Sequence, residues 1–226
     1  EHGIQVKNTP RASSNAVAEL ALALLFSCAR NISIAGHTMR ENKWEKKAYS
    51  KGFELSGKTM GVIGYGRIGQ LVGAMNVLSV VHRNKPEGCE CETMHFVTMD
   101  ELLSQSDIVV LCAPSGDKPL VDAESLAKMK DGVILVNTSR GGLVNTEELI
   151  EGIRKGKFFA VGLDVYEEEN DKVYEDLSGT ILQSSTMARL LSFPNVMVTS
   201  HQGFFTREAL EAISRITLEN AAAFEK

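Results

Sequence analysis

Short apolar segments that fit β-strands alternate with helical segments along most of this 226-residue chain, and this alternation restricts the possible folds most strongly. The predicted strands are residues 59–63, 76–81, 107–112, 132–136, 160–163 and 195–199. The predicted helices are residues 15–39, 99–103, 123–129, 146–155 and 207–225, and a long polar loop is predicted for residues 167–192. Continuously apolar strands that alternate with helices are typical of a parallel sheet covered on both faces. The sequence therefore predicts an α/β fold, a Rossmann-type doubly wound parallel sheet with helices on both faces.

A glycine-rich hexapeptide follows the first predicted strand and opens a helix. Its residues are Gly64, Tyr65, Gly66, Arg67, Ile68 and Gly69, in the pattern G-x-G-x-x-G. In this context the first glycine allows a tight turn, the second lets the backbone approach a pyrophosphate, and the third allows close helix–strand packing. The free N–H groups at the helix start would face the phosphate charge. We interpret the hexapeptide as a dinucleotide-binding turn, and a glycine turn without a ligand is the alternative.

The helix after this turn is unusually short. Only the seven residues 70–76 separate Gly69 from the second predicted strand. A crossover between parallel strands usually needs about ten residues or more. Either the helix is truncated or residues are absent from the sequence.

The end of the second predicted strand bears on the choice between NAD and NADP. An acidic residue there commonly binds the ribose 2′-hydroxyl of NAD. This strand ends in Val81, His82 and Arg83, without an acid. A guanidinium can bind a 2′-phosphate, so His82 and Arg83 favour acceptance of NADP. The alternative is a solvated Arg83 and an enzyme that binds NAD through backbone contacts.

Three polar segments follow predicted strands and supply candidate catalytic residues. They contain Arg140, Glu169 and His201. The carboxyl ends of parallel strands share one edge of a sheet, where ligands bind, so these three residues can converge. The alternatives are a surface position for Arg140 and a solvated acidic run for Glu167–Glu169.

The same segments carry a resemblance to a known family. NTSRGGLV at residues 137–144, DVYEEE at 164–169 and HQGFFT at 201–206 resemble the three signatures of the D-isomer-specific 2-hydroxyacid dehydrogenases. The resemblance extends from residue 15 to the end of the chain. The 32-residue spacing from Glu169 to His201 is similar to that of the D-lactate dehydrogenase branch.

This resemblance implies an oxidoreductase that reduces a 2-oxo acid to a D-2-hydroxy acid with NAD(P)H. Arg140 would hold the substrate carboxylate, His201 would donate a proton, and Glu169 would favour the imidazolium. Further cofactor-binding residues are expected beside the nicotinamide and along the cofactor cleft: Thr138, Ser139, Asp164, Cys112, Ala113 and Pro114. Phe204 and Phe205 either wall the substrate pocket or pack a helix on the sheet.

The resemblance also predicts the domain organisation. Residues 10–203 would form the dinucleotide-binding domain, and residues 1–9 and 204–226 would be remnants of a substrate domain. Ala12 stands where relatives often have Tyr. With only one wall of the cleft present, activity of this chain alone would be doubtful. The alternative function is therefore a catalytically idle or truncated nucleotide-binding module that acts through protein partners.

Composition excludes several other classes of partner. A net charge of −5 provides no basic surface for nucleic acid or anionic lipid, and no apolar run approaches a membrane span. Cys89 and Cys91 form the only close cysteine pair, so no metal site is expected, and the cysteines fit a reducing cytoplasm. The apolar helix at residues 15–39, capped by Ser13 or Ser14, is either the surface of a homodimer or a core helix.

Overall fold

A seven-stranded parallel sheet forms the centre of the computed structural model, which describes residues 4–44, 51–73, 77–80, 94–167 and 185–224. The strands are β1 (Met60–Ile63), β2 (Val77–Val80), β3 (Phe96–Val97), β4 (Ile108–Leu111), β5 (Val133–Asn137), β6 (Phe158–Leu163) and β7 (Val196–Val198). Their order is β3-β2-β1-β4-β5-β6-β7, and every neighbouring pair is parallel. The predicted Rossmann-type sheet is confirmed.

Helices cover both faces of this sheet. They are α1 (Ser14–Arg30), α2 (Ile32–Arg40), α3 (Arg67–Gly73), α4 (Met99–Gln105), α5 (Ala123–Lys128), α6 (Thr146–Arg154), α7 (Ser185–Ser192) and α8 (Arg207–Ala222). One apolar core joins the sheet to α4, α5, α6 and α7, and a second joins it to α1 and α3. Every residue of β1, β4 and β5 is buried, because both faces of these strands pack against helices.

The single helix predicted for residues 15–39 is wrong in the structure. Asn31 adopts a left-handed conformation with φ of 53°, which ends α1 and starts α2. Asparagine tolerates this conformation better than most residues. Ser13 occupies the N-cap position of α1, but its side chain makes no capping hydrogen bond. Among the described residues no single helix could cross a membrane, and α1 and α2 meet the length and composition criteria only as a pair bent by 68°.

The polar loop predicted for residues 167–192 contains a helix that the sequence pattern does not predict. Residues 185–192 form α7, where Leu190 is fully buried and the guanidinium of Arg189 binds Glu147 of α6 at 2.7 Å. The two-residue strand β3 was also missed. The rest of the predicted loop, residues 168–184, lies outside the described residues.

The crossover between β1 and β2 is made with a short helix. Helix α3 has seven residues, and β2 still pairs with β1 in parallel, with Met60 opposite Val77. The helix in the structure is therefore as short as the sequence predicts.

Candidate active site

From β1 the chain adds β2 and β3 on one side of the sheet, and it then adds β4 to β7 on the other side. The strand order therefore reverses between β1 and β4, and the glycine turn follows β1 at this point. In doubly wound sheets ligands bind in the crevice at such a point. Gly64 has φ of 103°, and a Cβ there would lie 2.7 Å from the carbonyl oxygen of Cys112. The backbone N–H of Cys112 donates to the carbonyl of Ile63 at 2.8 Å. Only glycine therefore fits the first position of the turn.

The other two glycines of the turn differ in their surroundings. A Cβ on Gly66 would have no atom within 4 Å, so the backbone there is open to a ligand. A Cβ on Gly69 would overlap the carbonyl of Gly64, because α3 packs directly on the turn. These are the three roles that the sequence predicts for the glycines: a tight turn, open backbone and close helix packing.

The end of β5 presents a polar group that lacks a partner. The hydroxyl of Thr138 is buried and has no hydrogen-bond partner among the described residues. The next residue, Ser139, is fixed, because its Oγ donates to the carbonyl of Leu111 at 2.7 Å. Buried hydroxyls are normally hydrogen-bonded, so Thr138 is suited to a bound ligand. The open backbone at Gly66 and this unpaired hydroxyl both fit a dinucleotide.

Arg140 follows directly and is exposed. Its backbone carbonyl accepts a hydrogen bond from Nδ2 of Asn137 at 2.9 Å, and its guanidinium donates to the carbonyl of Ser139 at 2.7 Å. The adjacent Gly141 packs against the backbone of Tyr166, where a Cβ would not fit. The loop after β5 is thereby held against the loop after β6, with the guanidinium of Arg140 accessible.

His201 lies in a loop whose backbone is fixed by Asp164. Its φ is 53°, and its N–H donates to the carbonyl of Asp164 at 2.9 Å. The buried carboxylate of Asp164 accepts from Oγ1 of Thr199 at 2.6 Å, from the N–H of Gln202 at 3.0 Å and from that of Gly203 at 2.8 Å. This carboxylate therefore binds the chain on both sides of His201.

This function of Asp164 is not among those predicted from the sequence. The resemblance placed Asp164 beside the nicotinamide, whereas the structure directs both of its oxygens to the loop after β7. Its contact with a cofactor stays a prediction. The available signal was the apolar strand before Asp164, which implied burial, and a buried carboxylate needs several donors.

The three predicted residues after β4, Cys112, Ala113 and Pro114, are uncharged at neutral pH. Burial raises the pKa of the Cys112 thiol to about 12, so this thiol is protonated at neutral pH and is a poor nucleophile. Ala113 is half-buried, and Pro114 is exposed.

Tyr65, the second residue of the glycine turn, packs its ring edge-on against Phe96, with the ring centroids 5.2 Å apart.

Three predicted site residues, Glu169, His82 and Arg83, lie outside the described residues. Glu167, which begins the acidic run, accepts a hydrogen bond from Oγ1 of Thr146 at 3.2 Å. Phe205 is 67% exposed and Phe204 is half-buried, with ring centroids 6.0 Å apart. Phe205 therefore does not pack a helix on the sheet within the described part of the chain.

Comparison with known proteins agrees with this geometry. The sequence model described as "D-isomer specific 2-hydroxyacid dehydrogenase, NAD binding domain" matches residues 22–203. The chain is 41% identical to 2-hydroxyacid dehydrogenase A of Aspergillus oryzae over 98% of its own length and 65% of that protein. It thus spans slightly less than two thirds of this relative.

Two solved structures have the same fold as most of this chain. The pyruvate reductase of Chlamydomonas reinhardtii superposes with a TM-score of 0.92 at 34% identity, over 99% of this chain and 70% of that one. The D-lactate dehydrogenase of Aquifex aeolicus, solved with NAD and lactic acid, has a TM-score of 0.85 at 29% identity, over 95% of this chain and 67% of that one.

Proposed function

The chain belongs to the D-isomer-specific 2-hydroxyacid dehydrogenases and contains their NAD-binding domain, and from this we propose that the protein reduces a 2-oxo acid to a D-2-hydroxy acid. The expected substrates are of the D-lactate or D-2-hydroxyisocaproate type. The observation that carries the proposal is the meeting, at one edge of the sheet, of the glycine turn, the exposed Arg140 and the fixed His201. An idle nucleotide-binding module would not require the last two.

The chain's own residues would divide the chemistry as follows. Arg140 binds the substrate carboxylate through paired hydrogen bonds, which also orients the carbonyl. His201 donates a proton to the carbonyl oxygen, a role typically worth about 10²–10⁴-fold in rate. Glu169, placed near His201 by the resemblance, favours its protonated form. The nicotinamide, when bound, supplies the hydride.

NAD is the cofactor that the family assignment supports, and we extend the proposal to NADP. The reason is the sequence after β2, which has His82 and Arg83 and no acid at Val81. An acid there would repel a 2′-phosphate, whereas a guanidinium binds one.

The terminal segments support the proposed domain organisation. The segment before α1 contacts α8: Nδ2 of Asn220 donates to the carbonyl of Asn8 at 3.1 Å, and Nζ of Lys7 lies 4.3 Å from the centre of the Phe224 ring. Apolar side chains remain exposed on both segments, with Val6 at 87% and Leu218 at 70%. Residues 10–203 would form the dinucleotide-binding domain, and residues 1–9 and 204–226 would belong to a substrate domain whose remaining part covers their apolar surface.

Large apolar side chains are also exposed around α2, and they support a homodimer. Ile32, Met39 and Trp44 are each at least 46% exposed. Exposed apolar patches commonly mark protein–protein contacts. The protein would act in the cytoplasm without nucleic acid or membrane partners, consistent with its free cysteines Cys28 and Cys112 and its net negative charge.

Consumption of reduced cofactor tests the proposed activity. The absorbance of NADH and NADPH is followed with pyruvate, 2-oxoisocaproate and phenylpyruvate in turn. We expect turnover with at least one substrate and formation of the D-isomer of the product. Binding of cofactor without turnover of any substrate would favour the idle nucleotide-binding module.

A further inference from the structure

A cavity of about 690 Å³ borders the glycine turn at Arg67, and neither Arg140 nor His201 lines it. Its walls come from the segment before α1, from Arg67 at the start of α3, and from α8. Helix α1 packs against α3, which brings the turn before α1 close to Arg67. The lining of the cavity includes Lys7, Arg11, Arg67 and Asn220.

The charge of this cavity is unusual for the chain. Its lining has three cations, Lys7, Arg11 and Arg67, and no carboxylate, whereas the whole chain carries a net charge of −5. Among the described residues neither arginine makes an ion pair, and both are exposed. Lys7 differs, because its ammonium lies over the ring of Phe224. A concave surface that is lined by cations attracts an anionic ligand.

The position of Arg67 indicates which anion this is. Arg67 directly follows Gly66, where the backbone is open because a Cβ would meet no atom within 4 Å. The Cα atoms of consecutive residues are about 3.8 Å apart, so a group at Gly66 lies one residue from the cavity wall. Guanidinium groups bind phosphate oxygens through two parallel hydrogen bonds. Arg11 belongs to neither the glycine motif nor α3, and its φ of 89° is rare for a residue with a side chain.

We propose that Arg11 is a further cofactor-binding residue, which binds the diphosphate of the dinucleotide together with Arg67. This inference rests on the proposed function, because it requires a dinucleotide at the turn. Arg11 lies outside the glycine motif and outside the three segments that contain Arg140, Glu169 and His201. Ala12, beside it, has no side chain that could replace this contact.

Calorimetric titration of the chain with three ligands tests the assignment. NADH and ADP-ribose contain the diphosphate, whereas adenosine lacks it. We expect Arg11→Gln to weaken binding of NADH and ADP-ribose by about tenfold or more, the usual effect of one charged hydrogen bond, and to leave adenosine unchanged. Arg11→Lys keeps the charge and should lose less. Arg215→Gln, which removes an exposed cation of α8 outside the cavity, is the matched control.

The outcomes separate this inference from the proposed function. If the unmodified chain binds NADH and ADP-ribose, but Arg11→Gln binds them equally well, Arg11 is not a diphosphate ligand. If Arg11→Gln weakens adenosine to the same extent, the side chain acts on the site as a whole, and the assignment is also overturned. If the unmodified chain binds none of the three ligands, the proposed function and this inference both fail. Thermal unfolding of each variant confirms that it is folded.

Discussion

The backbone N–H of His201 donates to the carbonyl of Asp164, while the carboxylate of the same Asp164 binds the residues before and after this histidine. One buried residue after β6 thus fixes the backbone around His201 after β7. His201 has φ of 53°, a conformation that persists only where the surroundings stabilise it. Asp164 supplies that stabilisation, which makes it a positioning residue.

Replacement of Asp164 by Asn should lower both stability and turnover. An amide has one acceptor oxygen, so its NH₂ group would face a backbone N–H of Gln202 or Gly203. We expect a loss of about 1–3 kcal/mol in the free energy of unfolding, measured with urea, and a lower kcat from a displaced His201. The exposed Asp117→Asn is the control. Unchanged kcat in the Asp164 variant would show that His201 does not depend on this carboxylate.

Replacement by alanine should have different effects on stability and NADH binding at two glycines of the turn. Gly64→Ala forces a Cβ against the carbonyl of Cys112 at a positive φ, so we expect a loss of stability of about 1–3 kcal/mol or more. Gly66→Ala adds a methyl group in open space, so stability should change little while NADH binding weakens. Gly116→Ala is the control for an exposed loop. Thermal unfolding and NADH titration distinguish the three variants. Unaffected NADH binding by Gly66→Ala would place the phosphates elsewhere.

Arg140→Gln should lower kcat/KM for the substrate and leave binding of the cofactor unchanged. Removal of a charged hydrogen-bond donor costs about 1.5–3 kcal/mol, which corresponds to roughly 10–100-fold in kcat/KM for the 2-oxo acid. The dissociation constant of NADH should stay unchanged, because the proposed partner of this guanidinium is the substrate carboxylate. The exposed Arg154→Gln at the end of α6 serves as a charge control. Weaker binding of NADH with normal kcat/KM would reverse the proposed assignment.

Arg83→Ala should reduce the use of NADPH selectively. The guanidinium would bind the 2′-phosphate, which NADH lacks. The measurement is the ratio of kcat/KM for the two cofactors, in the unmodified chain and in the variant. An equal loss with both cofactors would contradict a 2′-phosphate contact.

Most of the sheet could be predicted from the sequence, because its central strands are continuously apolar and bounded by turns. Strand β3, with two residues, is too short to produce such a pattern. Helix α7 was missed because its buried Leu190 lies within a long polar stretch. The break at Asn31 is set by one residue in a left-handed conformation inside an apolar helical pattern, which periodicity does not reveal.

The part of the candidate site that lies just after strand ends could be predicted from the sequence. Arg140 and His201 follow β5 and β7, and parallel topology brings such ends to one edge. The burial of Asp164 was predictable, but its partners were not, because Thr199, Gln202 and Gly203 are distant in sequence. The cavity lined by Arg11 and Arg67 likewise arises from the packing of α1 against α3.

The most direct test of the account is the turnover of His201→Asn. Asparagine tolerates the left-handed backbone of this position but provides no comparable proton donor. We predict a fall in kcat of about 10²–10⁴-fold, with the dissociation constant of NADH and the unfolding temperature unchanged. Turnover that persists at the unmodified rate would contradict the account and place the proton donor elsewhere.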